Sequence, residues 1–135
     1  MVNPKKSWFY ICLVYSVAIA VLSVLPPKAE ASLVPFSQGD KLLHFLAFFA
    51  FSLLVWKAGP AKPRISSTLL LTIAYSGAIE FVQLLAPYRT ASILDWLAGS
   101  LGGLAGAWAA YTLQRFALPA HFAKRILPKR DRNEE

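Results

Sequence analysis

Cysteine is almost missing from this chain: Cys12 is the only one in 135 residues. That excludes an internal disulfide and a cysteine-rich metal site. Cys12 lies in an apolar run rather than the electropositive, exposed setting a reactive thiol needs, so it reads as packing. Histidine is nearly as scarce, with only His44 and His121 present. The layout derived below puts them on opposite sides of a membrane, which excludes a histidine metal centre. No serine or cysteine has an evident place as an activated nucleophile. The residues therefore imply no metal and no cofactor. Charge is sparse as well, at 16% of residues, against about 25% in soluble domains. It is also segregated: long stretches carry none, and the C-terminal tail is dense with it.

What fills the chain is apolar, 56% of all residues, in a length that suits one domain. Four stretches stand out as spans: 8–25, 41–56, 65–86 and 93–113. A helix needs about 20 residues to cross a hydrocarbon core of roughly 30 Å. The second stretch, Leu42 to Trp56, is interrupted by His44 and is short. It must start at Asp40 or Lys41, sit in a thinned bilayer or lean on its neighbours. The first stretch has a rival reading as a signal peptide, with Lys5 and Lys6 as a basic start and Ala29-Glu30-Ala31 as a cleavage site. Its 18 apolar residues exceed the usual core of roughly 7–15, which favours a retained span. The fold class is all-α: an integral membrane bundle of four transmembrane helices over residues 1–114, followed by a basic tail, 115–135.

Lysine and arginine set the orientation. The N-terminus, the loop after the second span and the tail together hold eleven of them, and the other side holds only Lys28, Lys41 and Arg89. Positive residues stay inside, so both termini are expected in the cytoplasm of a bacterial inner-membrane, multi-pass protein. The net charge of +7 is then an orientation device rather than a nucleic-acid footprint. The tail, with Pro119 near a possible helix start, can lie on the inner leaflet next to anionic lipid. His121, within it, takes no special role.

Helices associate in lipid through close backbone approach and polar contacts. In the fourth span Asp95, Gly99, Gly102 and Gly106 share one helix face, with Gly103 beside it. Packing within the bundle is the first reading of the Gly99–Gly106 face, and a homo-oligomer seam is the second. In the third span Thr72, Ser76, Glu80 and Gln83 form one stripe that becomes more polar outward. Asp40 and His44 lie one turn apart at the outer end of the second span. Tyr88 and Arg89 occupy the short outer loop, and Asp95 opens the fourth span. The candidate ligand-binding residues are thus Asp40, Lys41, His44, Glu80, Gln83, Arg89 and Asp95, gathered at one outer level. Ionisable groups in a span face a partner or an aqueous cavity. As a lock, Glu80 or Asp95 pairs with Arg89 and His44 caps the network. A histidine, two carboxylates, an amide and an arginine exceed what a lock requires.

These residues resemble the VanZ-like family of small bacterial membrane proteins, from about Trp8 to Ala110. The resemblance is carried by Asp40-Lys41-Leu42-Leu43-His44-Phe45, by Glu80-Phe81-Val82-Gln83 followed by Arg89 and Asp95, and by Gly102, Gly103 and Gly106. One position departs from it: Gly99 stands where the family commonly has asparagine. The resemblance implies a role at the cell envelope, with an effect on glycopeptide (teicoplanin) tolerance, and supplies no reaction. Three functions follow from the residues. A binding pocket for a lipid head group or lipid-linked cell-wall precursor would use Arg89 to grip phosphate or carboxylate. An enzyme on such a lipid would use His44 and Glu80 as an acid/base pair. A proton-coupled carrier is the third, with four short helices and no visible repeat.

Overall fold

The computed structural model describes residues 4–25, 39–60, 64–87 and 90–126, with side chains as far as residue 116. The described residues form four helices and no strand: α1 Pro4–Ser23, α2 Gly39–Ala58, α3 Ile65–Gln83 and α4 Ile93–Ile126. Leucine, alanine and phenylalanine dominate them, and proline is missing from the interiors of α1, α2 and α3. α2 starts at Gly39 and reaches 20 residues, enough for the ~30 Å core that the apolar stretch alone fell short of. Its start falls just before the Asp40 expected from length. α3 stops at Gln83 rather than at 86. Leu84, Leu85 and Ala86 turn back, their N–H groups bonding to the carbonyls of Glu80, Val82 and Gln83. Pro26, Pro27 and the Ala29–Ala31 cleavage candidate lie outside the described residues.

Among the described residues three helices are long and apolar enough to cross a membrane: Lys5–Ser23, Gly39–Ala58 and Ile65–Gln83. α4 is not among them, because its glycines and Asp95 dilute the hydropathy of its first half. It is also longer than the apolar stretch 93–113. It continues through Arg115 and Pro119 to Ile126, 34 residues in all, so no break falls at 114 and no separate helix starts near Pro119.

The distribution of side chains is that of a protein solvated by hydrocarbon. Ser52, Thr72 and Ser76 are completely buried, and Thr68 nearly so. Leu70, Phe81, Leu101 and Trp108 stand on the outside, each more than half exposed. In water this arrangement would lose the burial that drives folding. In lipid it places each polar group beside another helix. The apolar centre is small: Phe48, Phe51, Ile79 and Ile19, with Tyr75 packed against them. Tyr75 lies 4.9 Å from Phe51, ring centre to ring centre.

α2 is the hub and touches all three other helices, α4 most extensively. Glycine makes that contact possible. A Cβ at Gly102 would lie 2.1 Å from the Phe45 carbonyl oxygen, and one at Gly106 would lie 2.4 Å from that of Phe49. On the α3 side, a Cβ at Gly103 would meet Thr72 Cγ2 at 2.5 Å. The Gly99–Gly106 face, read as either a packing face or a seam between copies, is filled by α2 and α3 of the same chain. α1 is more peripheral. It is held by hydroxyls donating to carbonyls, Tyr15 to Ala47 at 3.1 Å and Tyr75 to Ser16 at 2.6 Å. At the far end of α2, Trp56 Nε1 donates to Gln114 Oε1 at 2.9 Å, tying α2 to α4 away from the polar cluster.

Candidate functional site

The polar cluster starts with the first turn of α2. Asp40 sits where a helix N-terminus favours negative charge, and the Lys41 ammonium is 3.3 Å from its carboxylate. One turn on, His44 Nδ1 is 3.1 Å from the Asp40 backbone carbonyl. A carbonyl oxygen only accepts, so Nδ1 carries a hydrogen. The other ring nitrogen, Nε2, is 3.3 Å from Glu80 Oε1. Two situations satisfy that approach: imidazolium facing carboxylate, or neutral imidazole facing carboxylic acid. Either way the pair brings α2 and α3 together by an ion-pair approach rather than a hydrogen bond. The ring of Phe48 stacks one turn below His44, 6.4 Å between centres, and shields the pair from the bundle interior.

Glu80 also organises the start of α4. Ser92 is the residue before that helix, and its Oγ accepts the Asp95 N–H at 3.4 Å. Ser92 and Asp95 have the spacing of a capping box, in which the carboxylate three residues on takes the N–H of the cap residue. Here that N–H goes to Glu80 Oε2, 2.9 Å away. The Asp95 carboxylate is thereby released toward α2, where Lys41 Nζ is 3.6 Å from Oδ1. Asp40, Lys41, Asp95, Ser92, Glu80 and His44 form a closed circuit across three helices. Ser92 was missed in the sequence reading, although the Ser92-x-x-Asp95 spacing marks it as a cap.

Two atoms of this circuit lack hydrogen bonds. Glu80 Oε1 and Asp95 Oδ1 are buried without a donor among the described residues, although each is within ion-pair reach of a cationic partner. Glu80 is 7% exposed and Asp95 8%. Buried carboxylate oxygens ordinarily accept one or more hydrogen bonds, so a lock built only for stability would be expected to satisfy them.

Of the candidate residues, Asp40, Lys41, His44, Glu80 and Asp95 come together. Gln83 does not join them: its amide donates to the Ser23 carbonyl at 3.1 Å. It is 2% exposed and clamps the end of α1 to α3. Tyr88 and Arg89 lie outside the described residues. At Gly99, a Cβ would fall 2.4 Å from Ser76 Oγ and 2.9 Å from the Phe48 ring. The place of a longer side chain is taken by Phe48.

The family profile described as VanZ/LLP1 matches residues 5–114. The chain belongs to the VanZ/LLP1 family. No match was found among curated proteins or among solved structures. The VanZ/LLP1 match takes in α1, α2, α3 and the part of α4 that carries Asp95 and the glycines. It ends at Gln114, the partner of Trp56, and leaves out the rest of α4. In this VanZ/LLP1 chain the circuit and the glycine packing beneath it therefore fall within one continuous family region.

Proposed function

We propose that this VanZ/LLP1 chain is a four-span bacterial inner-membrane protein with both termini in the cytoplasm. Its outward-facing polar pocket binds the head group of a lipid or of a lipid-linked cell-envelope precursor. The observation that carries this reading is the pair of buried oxygens, Glu80 Oε1 and Asp95 Oδ1, without hydrogen-bond donors among the described residues. A ligand presenting hydroxyl, amide or ammonium hydrogens meets that need, and sugar, peptide and ethanolamine head groups all carry them. Lys41 and Arg89 suit a phosphate or carboxylate on the same molecule. The site lies on the face where glycopeptide antibiotics meet cell-wall precursors, so altered teicoplanin tolerance is the expected phenotype of its loss.

The test is mass spectrometry of the lipids retained by the purified protein, with Glu80→Gln in parallel. One lipid class should be enriched over the bulk membrane in the unsubstituted protein and lost in the variant. Identical lipid profiles for the two proteins would refute the reading.

A second reading, an acid/base enzyme acting on such a lipid, is favoured by the approach of His44 Nε2 to within 3.3 Å of Glu80 Oε1. General catalysis needs one group able to give a proton and a neighbour able to take it. Incubating reconstituted protein with excess of the retained lipid separates the two readings. Product beyond one equivalent per protein indicates an enzyme, and unchanged lipid a binding module.

A further inference from the structure

We propose that the groove between α1 and α2 holds one hydrocarbon chain of a membrane lipid, with that lipid's polar end at His44. This builds on the head-group reading above and adds where the rest of the ligand lies. The groove encloses about 190 Å³, more than the ~150 Å³ that admits a benzene-sized apolar guest. Tyr15, Ala18 and Leu22 of α1 face Leu43 and Ala47 of α2 across it, and His44 lies on the same wall. The hydroxyl protons along it are already committed, Tyr15 to Ala47 and Ser23 to Ala20. The Ser23 carbonyl takes the Gln83 amide. Among the described residues no hydroxyl proton is left along these walls to recognise a polar guest below His44, so the groove favours hydrocarbon.

Its length fits the same guest. From Tyr15 to Ser23 the helix rises about 12 Å at 1.5 Å per residue, most of the ~15 Å that is half of a 30 Å core. The groove thus spans nearly one leaflet, ending at the polar circuit where a head group would begin. Leu22 is 56% exposed and Val21 54%, so the rim faces the medium that bathes the rest of the apolar shell. A chain can enter sideways from the bilayer while its head reaches His44, without any polar group crossing the core.

The experiment uses the full chain in phosphatidylethanolamine and phosphatidylglycerol vesicles. A trace phospholipid carries a photoactivatable diazirine midway along one acyl chain. Adducts at Ala18, Leu22, Leu43 and Ala47 should exceed those at Leu70, Leu71 and Leu101 by about tenfold, equivalent to roughly 1.4 kcal/mol of preference. Raising the probe's share of the vesicle lipid should bring the groove adducts to a plateau while the shell adducts go on rising in proportion, because only a site saturates. Ala18→Phe should reduce the groove adducts to the shell level, and the saturation arm gives the answer if that variant does not fold. Equal labelling of groove and shell, or groove adducts that do not saturate, overturns the proposal. A groove covered by another part of the chain gives no adducts there and overturns it equally. Saturable groove adducts in both the unsubstituted protein and Glu80→Gln, with no head-group preference in either, uphold the groove and sink the head-group reading. Uniform adducts alongside selective lipid retention sink the groove and leave that reading standing.

Discussion

The contact between α2 and α4 can be tested at one atom. A Cβ at Gly102 would lie 2.1 Å from the Phe45 carbonyl oxygen, and ordinary contact begins at 3.4 Å. For Gly102→Ala to reach ordinary contact, the new Cβ and that oxygen must move apart by 1.3 Å, the difference of those two distances. The obstacle is main chain, so no side chain can rotate away to relieve it. Overpacking a tight core costs about 1–3 kcal/mol. With the largest helix contact of the bundle affected, Gly102→Ala belongs near the top of that range, at about 3 kcal/mol. Gly103→Ala meets the methyl of Thr72 instead and should cost less, about 1–2 kcal/mol. Leu101→Ala removes a side chain that is 58% exposed and already faces the shell, so it should stay within about 0.5 kcal/mol of the unsubstituted protein. Equilibrium unfolding in mixed micelles of mild detergent and dodecyl sulfate measures all three. If Gly102→Ala is as stable as Leu101→Ala, the helices do not pack at this distance and the account of the glycines is wrong.

Three further outcomes bear on the site and the layout. Glu80→Gln keeps an oxygen for the Ser92 N–H and an amide for His44, so its melting temperature should hold while lipid retention and any tolerance phenotype disappear. His44→Gln and Arg89→Lys should behave alike. Glu80→Ala strands both partners and should cost about 3 kcal/mol, and a proportional loss of stability and function across all four variants makes the cluster a clasp. Trp56→Phe and Gln114→Ala should each cost about 1 kcal/mol, and a double-mutant cycle should show that the double variant costs little more than either single one. Full additivity there means the hydrogen bond contributes nothing. In a Cys12→Ala background, a membrane-impermeant thiol reagent should label cysteines placed at Ser32 and Tyr88 in intact cells but not at Ala61 or Asn133, and labelling at Ala61 reverses the topology.

What could be read in advance depended on period and composition. Thr72, Ser76, Glu80 and Gln83 announce a common face because a helix repeats every 3.6 residues, and all four are buried. The glycine face of α4 was visible for the same reason, as was the need for α2 to begin near Asp40. Partners across helices were not visible. Spacing places Gln83 beside Glu80, yet its amide goes to a carbonyl of α1, and no local signal names that acceptor. The Ser92 N–H was open to Asp95 by local rules and goes instead to Glu80, whose carboxylate α3 brings to 2.9 Å. The continuity of α4 past the apolar stretch was not visible because Arg115 and Pro119 look like a boundary in one dimension. Neither interrupts the helix.

The inverted placement of side chains has a practical consequence for engineering. In most proteins the interior carries the apolar signal and the surface accepts polar substitution freely. Here the specificity of the bundle resides in Ser52, Thr72, Ser76 and the glycines, while Leu70, Leu101 and Trp108 serve mainly as a solvent-matching coat. A water-soluble analogue should therefore be reachable by recolouring the coat alone, with glutamate, lysine and glutamine replacing outward leucines and the small-residue seam left untouched. Such a molecule would present the circuit of His44, Glu80, Asp95 and Lys41 on a scaffold amenable to titration and spectroscopy without detergent.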